Sequence, residues 1–133
     1  MTLPMNPPVQ RAIDQIRATF VDYALDIDAD GQGGAFVRVN GLVFGPAFSP
    51  NVGWIAFHIV FNTPHADVYP HYLPPEFKRA DDKPLGEGFQ KKEMKLGRFT
   101  GPATMVSRRS KRWTPAHDTA ALKLLKVLDW IRA

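Results

Sequence analysis

The stretch that decides the fold is Trp54-Ile55-Ala56-Phe57-His58-Ile59-Val60-Phe61, followed downstream by Tyr69-Pro70-His71-Tyr72-Leu73-Pro74-Pro75. The first run is rich in aromatic and β-branched residues, which predicts a long strand. The second run is punctuated by proline, which has no amide hydrogen to donate to a neighbouring strand, so we expect no central strand there. The chain is therefore predicted to make a rigid corner after its last strand.

Further strands are predicted upstream of this run. The apolar segments Ala35–Val39 and Leu42–Phe44 flank Asn40-Gly41, a dipeptide that is typical of hairpin turns. Asp26–Gly34 is polar and rich in glycine, which predicts a turn. These segments together predict an antiparallel meander of about four strands.

Helices are predicted on either side of the strands. Pro7–Phe20 places apolar residues at helical spacing, and Thr119–Ile131 does the same, with Asp118 or Thr119 available as the N-cap. Lys78–Gly101 carries scattered charges and several glycines, which predicts a long exposed loop. We expect one α+β domain over residues 1–133: an N-terminal helix, the meander, the long loop and a C-terminal helix packed on the sheet.

The composition excludes several classes of function. The 133 residues are 44% hydrophobic and include no cysteine, which excludes disulfides, thiolate metal sites and thiol nucleophiles. No apolar run approaches the roughly 20 residues that cross a bilayer, and the first residues lack the features of a signal peptide. We therefore predict a cytoplasmic protein without a membrane partner, and nothing in the sequence indicates a cofactor.

Positive charge is concentrated in one part of the chain. The net charge is +4, but residues 76–113 alone carry +6 and the remainder −2. The densest cluster is Ser107-Arg108-Arg109-Ser110-Lys111-Arg112-Trp113. It has two chemical interpretations: the cations could hold nucleic-acid phosphates while Trp113 stacks on a base, or the serines could act as nucleophiles while the arginines stabilise an oxyanion. Nucleic acid is the least favoured partner, because no recognition motif accompanies the cluster.

Metal binding is weakly indicated. Asp26–Gly31 matches the first half of a calcium loop, but the twelfth position, which needs a bidentate acid, is Val37. The four histidines show no zinc-binding spacing. An acidic turn and ordinary strand and loop histidines are the favoured interpretations.

Two motifs resemble those of a known family. Tyr69-Pro70-His71-Tyr72-Leu73-Pro74-Pro75 resembles the Tyr-Pro-x-x-x-Pro corner of ubiquitin-conjugating enzymes and of their noncatalytic relatives, the RWD domains. Trp113-Thr114-Pro115 is similar to the Trp-Ser-Pro segment that follows the active site of those enzymes. The order of parts matches over residues 7–131, so the resemblance implies a ubiquitin-conjugating-like (UBC-like) fold. It is nearest to compact, divergent bacterial members whose genes lie beside those of an activating enzyme, a ubiquitin-like protein and a deconjugating protease.

The sequence also departs from this family. The catalytic cysteine of the family lies about eight positions before the tryptophan, which falls at Met105 here, and no His-Pro-Asn precedes it. The family's two final helices have no counterpart in the sequence. The resemblance therefore implies a fold and a pathway but not an intact catalytic site.

Three explanations for the missing cysteine remain open. In the first, a serine accepts the ubiquitin-like protein as an oxyester: Ser107 is the first choice, Ser110 and Thr104 are reserves, and His117 with Asp118 would serve as base and orienter. The substrate would then contact Arg108, Arg109 and Trp113.

In the second explanation the domain is a noncatalytic adaptor that holds the activating enzyme or the ubiquitin-like protein. The family meets its activating enzyme through the first helix, so Arg11 and Arg17 are the candidate contacts. In the third, engineering removed the nucleophile, and Ala103 or Ser107 stands in its place. A basic nucleic-acid-binding module is the third class of function.

Overall fold

The computed structural model describes residues 5–133, in which two helices enclose a series of strands in the chain. In order the elements are α1 (Pro7–Thr19), β1 (Leu25–Ala29), β2 (Ala35–Val43), β3 (Phe48–Ser49), β4 (Val52–Ile59), β5 (His71–Leu73), β6 (Lys78–Arg79), β7 (Phe89–Met94), β8 (Gly101–Val106) and α2 (Ala120–Arg132). The predicted α+β class, with an N-terminal helix, an antiparallel sheet and a C-terminal helix, is confirmed. Residues 1–4, on which the absence of a signal peptide was partly argued, lie outside the described residues.

Both helices form where the hydrophobic period predicts them. Val9, Ile13 and Ile16 are fully buried, and two prolines occupy the first turn of α1, where no amide hydrogen is needed. The backbone amide of Leu122 donates to Thr119 Oγ1 at 3.1 Å, so the predicted N-cap of α2 is confirmed. Neither helix of residues 5–133 is long and apolar enough to cross a membrane.

The main sheet is antiparallel and has the strand order β1-β2-β4-β5-β8-β7. Its first four members are paired in chain order, but only β2 and β4 correspond to predicted strands, and the sheet has six strands and not about four. The two additional strands form the hairpin β7–β8, inside and just after the region predicted as an exposed loop. That prediction was wrong because β7 is an edge strand, whose charged and exposed residues give no hydrophobic alternation.

The proline-punctuated segment contains a central strand, contrary to the sequence prediction. His71–Leu73 pairs with β4 on one side and with β8 on the other. The prolines at 70, 74 and 75 lie just outside these three residues, so they limit the strand without removing any amide hydrogen from it. The segment is a short strand with rigid ends, and not a corner after the last strand.

Two turn predictions were also wrong. Asn40-Gly41 lies inside the continuous strand β2, where the register with β4 shifts between Val39 and Leu42. Gly41 has φ +77°, so the dipeptide forms a bulge and not a hairpin. Residues 26–29, the first part of the predicted polar turn, belong to β1, which pairs with β2 as an edge strand.

Each face of the sheet carries its own apolar cluster. The larger cluster lies between the sheet and both helices and includes Phe57, Leu73 and Leu124. The smaller one lies on the opposite face, where residues 95–100, which we call the strap, return across the sheet. Leu96 and Phe99 of the strap pack there, and the backbone amide of Arg98 donates to Asp28 Oδ2 at 3.1 Å. The chain between β7 and β8 is therefore packed and not an exposed excursion.

Candidate functional site

Residues 107–113, which we call the basic segment, leave β8 and run beside α2. The segment is fixed at three points. The amide of Ser107 donates to the Gly88 carbonyl at 2.7 Å, the amide of Ser110 donates to Asp67 Oδ2 at 2.7 Å, and the indole of Trp113 donates to the Pro64 carbonyl at 2.6 Å. These three hydrogen bonds hold the basic segment in a defined path.

A buried lysine joins this segment to α2. Lys123 is 4% exposed, and its ammonium lies 3.0 and 3.1 Å from the two carboxylate oxygens of Asp67. The same ammonium donates to Ser110 Oγ at 2.7 Å, while the Ser110 hydroxyl donates to Asp67 Oδ1 at 3.1 Å. A buried charge is tolerated only when it is paired and hydrogen-bonded. Asp67 and Ser110 therefore compensate the cost of burying the Lys123 ammonium. We call these three residues the Ser110 cluster.

The cluster gives the Ser110 oxygen an asymmetric environment. The Asp67 carboxylate accepts a hydrogen bond from the Ser110 hydroxyl, and the Lys123 ammonium donates a hydrogen bond to the Ser110 oxygen. A hydroxyl attacks a carbonyl only if its proton can leave and the resulting negative charge is stabilised. Asp67 and Lys123 are placed for these two tasks. Ser110 is half-buried and lines an open cleft.

The cleft lies between the basic segment and α2 and has a volume of about 620 Å³. We call it the basic cleft; its lining is Arg108, Arg109, Ser110, Lys111, Arg112, Asp118, Lys123, Lys126 and Val127. Six of these nine residues are cationic and one is acidic. Such a lining attracts anions. Of the predicted substrate contacts, Arg108 and Arg109 line this cleft, whereas Trp113 lies outside it with its indole bonded to Pro64.

His71 is buried close to the cluster. It is fully buried, and within residues 5–133 neither ring nitrogen makes a hydrogen bond. Burial, with the nearby Lys123 ammonium as a second cause, lowers the pKa of His71 to about 3, against a weaker opposite effect of Asp67. The imidazole is therefore neutral at physiological pH and presents an apolar face to Phe57, with the two ring centroids 5.1 Å apart.

The other predicted nucleophiles lie apart from this geometry. Thr104 is fully buried in β8, where its hydroxyl donates to the Pro74 carbonyl at 3.0 Å and accepts from Lys91. Met105, at the position of the family's cysteine, and Ala103 also belong to β8 and not to a loop. Ser107 directly follows the strand, and none of the hydrogen bonds of residues 5–133 involves its hydroxyl. Of the candidate hydroxyls, the structure brings only that of Ser110 between an ammonium and a carboxylate.

The predicted base and orienter are not brought together either. Asp118 Oδ2 accepts from the backbone amide of Thr114 at 2.6 Å, and Oδ1 lies 3.5 Å from the Lys126 ammonium. These two partners hold the pKa of the Asp118 carboxyl below its ordinary value, in that order of importance. The His117 side chain is exposed and makes no hydrogen bond in the described part of the chain. Asp118 stabilises a turn before α2, which sequence adjacency could not distinguish from orienting a histidine.

Asp67 and Lys123 were missed from sequence. Lys123 offered one signal, because it lies three positions after Ala120 and four before Val127, and so falls on the buried stripe of α2. Asp67 offered none, because it lies in an irregular segment 56 residues away from Lys123. Their pairing is a tertiary property.

The acidic residues of the calcium-like stretch are committed to protein partners. Asp26 accepts from Arg38 and Asn40, and the Asp30 carboxylate lies 2.7 Å from His58 Nε2. Burial opposes the charge of Asp30, but the hydrogen bonds from His58, Gln32 and Gly34 outweigh it and hold the pKa of that carboxyl below its usual value. Residues 5–133 contain no group of three or more side chains that could hold a metal ion.

A second, smaller groove of about 210 Å³ lies between α1 and the turn that precedes α2. Arg11 and Gln15 line it on one side, and Trp113 and Pro115 on the other. Arg17, the other predicted contact for an activating enzyme, does not line it. The groove therefore joins one of the two predicted contacts of α1 to the Trp-Thr-Pro motif.

Comparison with known proteins yields no relative: no protein-family model, no curated protein and no solved structure matches the chain. The chemistry of this molecule must therefore be argued from the geometry of its own residues.

Proposed function

We propose that this chain is a divergent, cysteine-free member of the UBC-like fold that accepts a ubiquitin-like protein from an activating enzyme in a bacterial conjugation pathway. The acceptor is Ser110, and the product is an oxyester. The observation that carries the proposal is the Ser110 cluster, in which the Ser110 oxygen lies 2.7 Å from a buried ammonium and 3.1 Å from a carboxylate. The two family-like sequence motifs support the relationship, as does the order of an N-terminal helix, an antiparallel sheet and a C-terminal helix.

The proposed step is an acyl transfer. Ser110 Oγ attacks the activated C-terminal carbonyl of the ubiquitin-like protein while its proton passes to the Asp67 carboxylate. The new bond joins Oγ to the carbonyl carbon, the bond to the activating enzyme's leaving group breaks, and that leaving group takes up the proton from Asp67. Lys123 stabilises the negative charge on the serine oxygen, and the cations of the basic cleft stabilise the oxyanion of the intermediate.

The test is the intact mass of the protein after incubation with ATP, a bacterial activating enzyme and the ubiquitin-like protein that this enzyme activates. We expect an added mass equal to the ubiquitin-like protein minus water, removable by hydroxylamine. Ser110→Ala should abolish the adduct, whereas Ser107→Ala, in the same segment, should leave it unchanged. An adduct that survives Ser110→Ala but not Ser107→Ala would contradict the assignment to Ser110.

A noncatalytic docking function is the second candidate. The groove beside α1 favours it, because Arg11 lines it together with Trp113 and Pro115 of the Trp-Thr-Pro motif. In that case the Ser110 hydroxyl serves only to bury Lys123. Stable binding of the activating enzyme, with no adduct for the wild type and with weakened binding for Arg11→Glu but not Arg17→Glu, would favour docking over transfer.

A further inference from the structure

The basic cleft holds positive charge that the protein itself does not neutralise. Arg108, Arg109, Lys111 and Arg112 form no salt bridge with any acidic residue in the range 5–133. The acidic groups nearest to the cleft are already engaged, since Asp67 is paired with Lys123 and Asp118 with Lys126. Clustered cations without counter-charges repel one another, so an anion that enters the cleft relieves this repulsion.

Two of the arginines are held with their donor edges available. The Arg108 guanidinium lies over the Trp130 ring at 4.9 Å from its centroid, and the Arg109 guanidinium lies over Tyr69 at 4.7 Å. Stacking on a ring uses the face of a guanidinium and leaves its N–H groups free to donate. A guanidinium fixed in this way can bind a phosphate in a bidentate manner and loses little rotamer freedom when it does so.

The frame behind these arginines is rigid. The amide and the hydroxyl of Ser110 are both bonded to Asp67, which is itself bonded to the buried ammonium on α2. Ser110 follows Arg109 directly, so this anchor fixes the middle of the basic segment, between Arg108-Arg109 and Lys111-Arg112. Arg108 and Arg109 are therefore held at the cleft before any ligand arrives, and such preorganisation favours affinity.

The cleft does not offer what nucleobases need. Its lining contains no aromatic residue. The Trp130 ring beside it is covered by Arg108 and stacks on Phe89, with ring centroids 5.0 Å apart. The Tyr69 ring is covered by Arg109. Binding of single-stranded nucleic acid relies on open aromatic faces as well as on cations. A volume of about 620 Å³ is that of a small-molecule site and not of a groove that follows a polymer.

We propose that the basic cleft binds a compact polyphosphate of two or three phosphoryl groups, either free or attached to a nucleoside. The shared recognition element is the phosphoryl chain, which the arginine edges and the Lys111 ammonium contact. The basic cleft thus recognises the dense negative charge of the phosphoryl chain and not the identity of a nucleobase.

Isothermal titration calorimetry with tripolyphosphate, at constant ionic strength, tests the proposal without any other protein, so its outcome does not depend on the adduct experiment. We expect Arg109→Gln and Arg112→Gln each to weaken binding about tenfold, the loss of one charge-assisted interaction. Lys92→Gln, which removes an exposed cation from β7, should change the affinity less than about twofold. Circular dichroism will verify that the variants are folded.

Further titrations separate the sources of the phosphoryl chain. Equal affinity for tripolyphosphate and adenosine triphosphate would assign the free anion, and tighter binding of the nucleotide would assign a nucleoside-borne one. Tripolyphosphate binding no tighter than orthophosphate would overturn the proposal. So would equal losses for Arg109→Gln and Lys92→Gln, or tighter binding of a hexaglutamate peptide or a single-stranded oligonucleotide.

Discussion

At the scale of single residues, His71 links the core to pH. Its folded-state pKa is about 3, whereas a histidine in an unfolded chain titrates near 6.5. Between these two values the unfolded state binds a proton that the folded state does not. The free energy of unfolding must therefore decrease as the pH falls below about 6.5, because protonation then favours the unfolded chain.

We predict a loss of up to about 1.4 kcal/mol per pH unit from this residue as the pH falls from about 6.5 to about 5. Urea unfolding between these two pH values measures this loss of unfolding free energy. Most carboxylates titrate below this range and so contribute little to the slope. His71→Leu should flatten the dependence, because leucine fills a similar volume without a titratable group. His117→Gln, which alters an exposed histidine, is the matched control and should keep the wild-type slope. Equal slopes for the wild type and His71→Leu would disprove the assignment.

The site was predictable from sequence only in part. The high density of cations in the basic segment identified it as a candidate site, and Ser110 was among its candidate nucleophiles. The preference for Ser107 rested on counting positions before Trp113, and that count could not detect that β8 extends to Val106 and leaves Ser110 facing α2. Hydrogen bonds between residues that are far apart in sequence decide which hydroxyl is polarised, and no local pattern records them.

At the scale of elements, the strap is held by one close approach. Gly97 has φ +55°, and a Cβ there would lie 2.8 Å from the Phe36 ring and 2.5 Å from the Asp28 carboxylate. The Phe36 ring packs against His58, with centroids 4.5 Å apart, so it has little freedom to yield. The strap can reach β1 and β2 only because this position has no side chain.

We predict that Gly97→Ala destabilises the protein by about 2 to 4 kcal/mol, the sum of left-handed backbone strain and overpacking. Gly31→Ala is the control: Gly31 has φ +78° but open space around its Cβ position, so it should show the backbone cost alone, about 1 to 2 kcal/mol. Urea unfolding of both variants gives the difference. Equal losses would show that the strap does not press on the sheet.

The elements that were predicted correctly are those with a clear period. Both helices carry a period because each buries a regular stripe, and β4 was recognisable as a continuous apolar run because it packs against a cluster on each face. β5 was missed because three paired residues between prolines are too few for any pattern, and β7 because an edge strand needs no apolar residues. Pairing partners, and not propensities, create these two strands.

At the scale of the whole molecule, charge is distributed for binding and not for stability. Residues 76–113 carry +6 in a protein of net charge +4, and several of these cations converge on the basic cleft. Repulsion among them opposes folding, and salt screens it over about 10 Å at an ionic strength of about 0.1 M.

We therefore predict that the free energy of unfolding of the wild type rises as NaCl is increased from about 20 to about 200 mM. The double variant Arg109→Gln/Arg112→Gln should be more stable than the wild type at the lower concentration and should gain less from salt. Chemical unfolding at a series of salt concentrations measures both effects. A wild type whose stability falls with salt would show that favourable ion pairs, such as that of Arg79 and Asp81, dominate instead.

The packing of α1 against α2 has a consequence for biosynthesis. A ribosome delivers α1 first and α2 only after every strand of the sheet, yet the two helices cover the same face and the same apolar cluster. Until α2 has emerged, part of that face of the sheet remains exposed to water, and so does the side of α1 that α2 covers in the folded protein. The basic segment emerges after the last strand and before α2, so its charges oppose self-association of the nascent chain in the interval that remains until α2 completes this cover. The cations of the proposed binding site thus also oppose aggregation of the incomplete chain.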